Sequence, residues 1–276
     1  MDLTSVDVVV LNWRTPDMSI ECARLAAAAL PGAKIYLVDN GSGDGSSQRM
    51  RQAMPDAVIV ENDRNLGFGG GFNSGIRAGQ RPFVVILNSD ARPVGDAYRM
   101  LLEHCASDER IGAVTPQTVD GQGRPVPQLV AEPPPWLLVL GCMPVTWRLV
   151  ASNVYRPTAG PPQLIDWLPG LCVTVFRRAA LEGIGAFDPD YFLGWEEWDI
   201  TRRLRAAGWR IAIHTGAEVI HEGHGSTPTN LKSWRNKHGR QSICHHLRKY
   251  YGPGWSTLAR VGSGVTDLYI GLRKGS

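Results

Sequence analysis

The sequence predicts an α/β fold with a mainly parallel central sheet, and three observations carry that expectation. Short apolar runs alternate with helical patterns along the first 116 residues, the order that builds βαβ units. The runs lack the in-out alternation of a half-exposed strand. Phe83-Val84-Val85-Ile86-Leu87 is apolar throughout, which suits a strand covered on both faces. Polar residues then stand at the ends of the runs, and a parallel sheet gathers such ends on one edge, where α/β proteins bind ligands.

In chain order, Val6 to Leu11 is the first strand and ends in Asn12-Trp13. Pro16 opens a helix to Leu30, which Pro31-Gly32 stop. Ile35 to Val38 is the second strand and ends in Asp39-Asn40. A glycine-rich turn leads into a helix from Ser46 to Met54, and Ala57 to Val60 is the third strand. The stretch Asn65 to Gly75 follows, with Ile76 to Gln80 continuing as a helix. The strand from Phe83 ends in Asn88-Ser89-Asp90; a helix over 94–106 and a strand over 111–114 complete five β units. Residues 117–165 are rich in Pro and Gly and read as an irregular insertion over the site. Regularity returns with a strand over 171–176, a short helix over 177–181, and a helix over 195–207 with Ile200, Leu204 and Ala207 on one face. Residues 209–213 and 217–220 read as two strands, the second ending at His221, and the remainder as two helices outside the sheet, broken at Pro253-Gly254.

Five cysteines are odd in number, scattered, and form no C-x-x-C. Neither a disulfide framework nor a zinc site is expected, and a reducing cytoplasm fits. The N-terminus lacks a signal pattern. The most apolar run, Trp136 to Val145, falls well short of the roughly 20 residues of a spanning helix. From Asn230 onward there are nine Lys/Arg and one acid, so this segment carries +8 and residues 1–229 carry −5. Such a segment suggests contact with an anionic membrane surface or another polyanion; the other reading is a solvated helical surface. Nucleic acid is not expected among the partners, and a homodimer is left open.

Several residues at the strand ends carry chemistry. Asp39 is short and ionised and can accept hydrogen bonds from a base or a ribose. Asp90 is either a helix cap for the next segment or a ligand-binding acid. Glycines 67–71 let backbone approach a ligand closely, or simply make a tight turn. They resemble a dinucleotide fingerprint, but Phe72 stands where its third glycine belongs, and the cluster follows the third strand. Asp90 and His221 make a pair for Mg²⁺ or Mn²⁺, which neutralise a departing diphosphate, with His224 as a competing ligand. Glu196, Glu197 and Asp199 open a helix, where acids favour the dipole by about 0.3–1 kcal/mol each. Tyr191, Phe192, Trp195 and Trp198 crowd them. An apolar wall raises a carboxylate's pKa and fits a general base, and aromatic faces stack on sugar rings.

Val8 to Trp13, Leu37 to Ser42, Asn65 to Gly75, Leu87 to Asp90, Phe187-Asp188 through Asp199, and His221-x-Gly together resemble the inverting family 2 glycosyltransferases, in particular the bacterial rhamnosyltransferases of cell-wall and O-antigen synthesis. The resemblance spans residues 6–250. It implies a GT-A fold with a nucleotide-binding half (1–116), an acceptor half (117–229) and a basic helical extension (230–276). It implies that Asp39 contacts base and ribose, with Asn12, Asn40, Ser42, Asn88 and Ser89 around the nucleotide sugar. Asn65, Gly67 and Asn73 match the motif between nucleotide and metal site. Asp90 matches the metal-binding acid of a D-x-D motif, thinned here to Asn88-Ser89-Asp90, and His221 the metal-binding histidine. Glu197 takes the position of the catalytic base, with Glu196 not excluded, and Trp167, Gly170 and Trp195 fall on the acceptor side. The expected donor is dTDP-L-rhamnose, then a UDP-hexose. The expected acceptor is a polyprenyl-diphosphate-linked saccharide, and a soluble acceptor stands second. The expected location is the cytoplasm, at the inner face of the cell membrane where the acceptor is lipid-linked. Two other classes compete: a Rossmann-type dehydrogenase and a non-catalytic sugar-binding module.

Overall fold

The structure, a computed structural model, describes residues 2–126, 128–129, 132–143, 154–155, 161–221 and 232–274. The first half runs β1 (Val6–Asn12), α1 (Pro16–Ala29), β2 (Lys34–Asp39), α2 (Ser46–Ala53), β3 (Val58–Glu61), α3 (Gly67–Ala78), β4 (Phe83–Asn88), β5 (Ala91–Pro93), α4 (Ala97–Ser107) and β6 (Ile111–Val119). The middle holds β7 (Gln128–Leu129), α5 (Pro135–Gly141), β8 (Val154–Tyr155) and β9 (Gln163–Ile165); β7 and β8 pair with each other. The second half runs β10 (Val173–Arg177), α6 (Arg178–Gly183), α7 (Glu196–Ala206), β11 (Arg210–His221), α8 (Lys232–Tyr251) and α9 (Pro253–Lys274).

The main sheet has the order β3-β2-β1-β4-β10-β6-β11-β5, with β9 also paired to β11. Pairing is parallel from β3 through β4 and between β6 and β11. β10 lies antiparallel between β4 and β6. Two reversals restore direction, so β6 and β11 point the same way as β1, β2 and β4. The carboxyl ends of β1, β2, β4 and β11 therefore share one edge.

The unalternating strands follow from cover on both faces. Val8, Val10, Val85 and Leu87 are fully buried in one cluster with residues of α1, α2 and α4. Val9, Val84 and Ile86 are fully buried in another with residues of α3, α6 and α7. Each such side chain stabilises the fold by about 1.5–3 kcal/mol. A third cluster joins α5, α8 and α9 to Tyr191, Trp195 and Trp198. All five cysteines are free and buried. No helix among the described residues is long and apolar enough to cross a membrane.

Five elements differ from expectation. The helix thought to begin at Ile76 begins at Gly67, so the glycine cluster is itself helical. Glycine disfavours a helix by about 1 kcal/mol per residue, and close packing supplies the reason for it here. A Cβ on Gly75 would lie 2.3 Å from Val9 Cγ1, and one on Gly71 2.5 Å from Leu11 Cδ1. Second, α4 starts at Ala97 behind Asp96, not at Val94, so Asp90 caps no helix. Third, β5 intervenes as an edge strand containing Pro93, a place that tolerates proline. Fourth, the two strands expected over 209–220 are one, because pairing on β6 jumps from Pro116–His214 to Gln117–Glu218 while β11 continues. The insertion also holds a helix, α5, rather than being irregular throughout.

Candidate active site

The ends of β1 and β2 are joined by buried side chains. Asn12 Nδ2 donates to Asp39 Oδ1 (3.0 Å) and to Ser42 Oγ (3.2 Å). Asn12 Oδ1 accepts from Thr15 N (3.2 Å) and Ser19 Oγ (3.0 Å), so its amide is engaged inside the protein. Ser42 Oγ also donates to Asp39 Oδ1. Asp39 Oδ2 takes no hydrogen bond from the described residues and remains free to accept one. Sequence reasoning missed Arg14 here. Its φ is +60°, uncommon for a residue with a Cβ; its N donates to Ser42 Oγ (2.9 Å) and its Nε to Ser42 O (3.3 Å). A cation two residues beyond a strand end was the available signal.

Asp90 and His221 meet at the same edge. Asp90 is buried just past β4, and His221 Nε2 lies 3.3 Å from Asp90 Oδ1. Ser89 is buried beside them, its Oγ 3.5 Å from Thr15 Oγ1, and Asn88 N donates to Cys172 O (2.8 Å). His224 lies outside the described residues. One carboxylate and one imidazole suit a hard divalent cation. Among the described residues, Asp188, Asp190 and His245 also bring ligand atoms within 4.8 Å of one another. Asp188 Oδ2, however, already takes the Lys249 ammonium at 2.6 Å, which supplies that group with its positive charge.

Asn40 ties the donor edge to the acidic helix. Asn40 Nδ2 donates to Asn65 Oδ1 (3.0 Å) and Gly67 O (2.9 Å), while its Oδ1 accepts from Leu66 N (3.1 Å). Asn65 Oδ1 accepts from Gly67 N as well (2.8 Å). Gly67 has φ +79°, and a Cβ there would lie 2.3 Å from Phe192 O. Phe68 N donates to that same oxygen at 2.8 Å. Asn73 clips the start of this loop: its Nδ2 donates to Phe187 O (2.8 Å) and its Oδ1 accepts from Phe187 N (3.0 Å). Asn65 Oδ1 and the Asn73 amide thus bond within the protein, and Asn73 holds the segment leading to Glu196 and Glu197 at Phe187.

That segment ends in Trp195, whose φ of +75° precedes the first turn of α7, a sparsely populated conformation of the kind that clusters at functional sites. Glu196 is buried, and its Oε2 has no hydrogen-bond partner among the described residues. Burial, and after it the neighbouring Glu197 charge, push the Glu196 carboxyl well above the usual range. Glu197 is less enclosed, and burial raises its carboxyl too. Asp199 is engaged by Arg203 Nε (2.7 Å), Lys249 Nζ (2.6 Å) and the Tyr250 hydroxyl (2.6 Å). The Trp195 ring is nearly covered, stacked on Trp198 with centroids 5.7 Å apart. Trp167 is half-buried against Trp198 at 5.2 Å, and the space where a Gly170 Cβ would point is open.

A parallel-cored sheet that collects Asp39, Asp90 and His221 on one edge, beside an acid-opened helix, is the architecture of GT-A glycosyltransferases. Residues 4–243 match the family model described as Glycosyltransferase like family 2, and the chain belongs to that family. It is 31% identical over 270 residues to the N-acetylglucosaminyl-diphospho-decaprenol L-rhamnosyltransferase of Mycobacterium tuberculosis, a match covering 91% of this chain and 87% of that protein. The mannosyltransferase PcManGT from Pyrobaculum calidifontis, solved with GDP-Man and Mn²⁺, shares the fold with a TM-score of 0.60 at 17% identity, over 95% of this chain and 69% of that one. GalNAc-T7, solved with UDP, GalNAc and Mn²⁺, shares it with a TM-score of 0.56 at 15% identity, over 78% and 43%. The chain is a glycosyltransferase, and the dehydrogenase and non-catalytic readings fall away.

Proposed function

We propose that the enzyme transfers L-rhamnose from dTDP-L-rhamnose to a hydroxyl of a polyprenyl-diphosphate-linked saccharide, with inversion at the anomeric carbon, in cell-wall or surface polysaccharide synthesis. One observation carries the chemistry: Asp39 and the Asp90–His221 pair lie on the edge that the Asn40–Gly67–Phe192 chain of contacts connects to Glu196 and Glu197. The sugar and the acceptor rest on the rhamnosyltransferase relative. Residues 1–116 act as the donor half, 117–229 as the acceptor half, and 230–276 as a basic extension.

Asp39 Oδ2 accepts hydrogen bonds from the base or the ribose, and Asn12 and Ser42 fix its carboxylate. Asp90 and His221 would hold Mg²⁺ or Mn²⁺, which would supply positive charge for the departing diphosphate. Glu197 accepts the proton of the acceptor hydroxyl; its raised pKa makes it a stronger base than an ordinary carboxylate. The acceptor oxygen bonds to the anomeric carbon from the face opposite the nucleotide, the bond from that carbon to the diphosphate oxygen breaks, and the configuration inverts. Glu196, whose carboxyl burial and the Glu197 charge push well above the usual range, precedes it in the first turn of α7. Trp167 and Gly170 border the acceptor. The enzyme works in the cytoplasm, where lipid-linked acceptors meet nucleotide sugars.

A thermal-shift screen of nucleotide sugars with Mn²⁺ present, followed by transfer to a short-chain polyprenyl-diphosphate saccharide, tests the reading. Stabilisation by dTDP-rhamnose and its consumption are expected. Stabilisation by UDP-hexoses alone overturns the donor.

A further inference from the structure

We infer that α9 and the residues just past α5 form a membrane-interface face that seats the enzyme on an anionic lipid bilayer. Leu258, Val261, Val265 and Leu268 recur at three- and four-residue spacing along α9, and 54%, 62%, 51% and 67% of their surface is exposed. That spacing puts them on one side of the helix. Other sides of α9 are committed to the protein. Ala259, Gly262 and Thr266 are buried, Thr266 Oγ1 donates to Cys142 O (2.7 Å), and a Cβ on Gly262 would lie 3.1 Å from Met143 Cγ. The Gly262–Met143 contact carries the apolar surface onto the residues just past α5, where Met143 is also exposed, and Trp136 at the start of α5 is exposed as well. Folded monomers seldom leave so long an apolar row open to water, and tryptophan favours the membrane interface.

Charge selects the occupant. Residues 230–276 carry nine basic residues and one acid. Some of this charge is used internally: Arg240 pairs with Asp267, and Lys249 with Asp188 and Asp199. Arg248 and Arg260 are exposed and remain available. A second copy across this face would set two basic segments against each other, whereas anionic headgroups complement them. An apolar row flanked by basic residues matches a helix lying in the interface plane. The purpose of the face, though not its chemistry, rests on the proposed lipid-linked acceptor.

The test is flotation of the full chain with vesicles of phosphatidylcholine alone and of phosphatidylcholine with phosphatidylglycerol. Binding to the anionic vesicles is expected, weakened by salt. The double variant Val261→Asp/Leu268→Asp is expected to bind about ten-fold more weakly or less, with unchanged melting temperature and unchanged transfer to a water-soluble short-chain acceptor. Wild type that does not float, or a double variant that floats equally well, overturns the inference. A wild-type dimer that the same substitutions dissociate in light scattering, without flotation, makes a second copy the occupant and also overturns it. Flotation without any transfer would leave this face standing and remove the acceptor reading instead.

Discussion

His221 Nε2 stands 3.3 Å from Asp90 Oδ1 because β5, which begins immediately after Asp90, crosses to pair with the end of β11, matching Ala91 to His221. A three-residue strand thus brings the end of β4 to a strand three places away in the sheet. If the pair holds a divalent ion, EDTA abolishes transfer and Mn²⁺ or Mg²⁺ restores it. His221→Ala is expected to lower kcat/KM by on the order of 100-fold, or about 2.7 kcal/mol, and to shift the metal titration to higher concentration. A variant whose metal titration matches wild type would remove His221 from this role.

Glu197→Gln is expected to lower turnover by about 10²–10⁴-fold, the range of general base catalysis, with nucleotide-sugar binding unchanged in calorimetry. The base acts only when deprotonated. Since burial raises the Glu197 pKa, wild-type turnover should rise with pH through a limb above the ordinary carboxylate range. Glu196→Gln mimics the protonated form and should retain most activity. Loss of turnover in Glu196→Gln alone would exchange the two roles.

Where one local signal decided the structure, it was legible. β1 and β4 are runs that two covered faces demand, and the polar residues at their ends point to the active edge. The sequence was opaque where a tertiary contact decided. Glycines 67–75 argue against a helix until the closeness of Val9, Leu11 and Phe192 is known. β5 is three residues ending in Pro93 and is a strand only because β11 lies beside it. Glu132, an acid in a Pro-rich stretch, carries no motif, yet it joins the insertion to α7 and α8.

Gly67→Ala tests the contact between α3 and the acidic loop. The new Cβ would sit 2.3 Å from Phe192 O at a φ of +79°, a strained conformation that costs roughly 1–3 kcal/mol. Because Phe192 is main chain leading into Trp195 and Glu196, the loop has to move. A lowered melting temperature is expected together with a loss of turnover larger than the loss of donor affinity. Asn73→Ala, which leaves the Phe187 N–H and C=O without their amide partner, should destabilise by about 1–3 kcal/mol for each buried group. A melting temperature matching wild type in both would discount this brace.

Glu132 offers the sharpest pH test of the third cluster. Its carboxylate is nearly buried and accepts from Arg202 Nε (2.8 Å), the Tyr251 hydroxyl (2.8 Å) and His246 Nε2 (2.8 Å). Burial opposes its charge, but the His246, Arg202 and Tyr251 hydrogen bonds prevail and hold the carboxyl below its usual value. A depressed folded pKa adds stability that is present above the unfolded value, about 4.3, and is lost as pH falls through the folded pKa. Glu132→Gln leaves Arg202 and His246 without their carboxylate, and breaking such a pair costs about 3–5 kcal/mol. The variant should therefore melt well below wild type at pH 7, and the gap should close in acid. Arg202 lies on α7, the helix that Glu196 and Glu197 open, so turnover should fall alongside stability. A gap that stays constant from neutral pH into acid would mean that the Glu132 charge contributes nothing to the clamp.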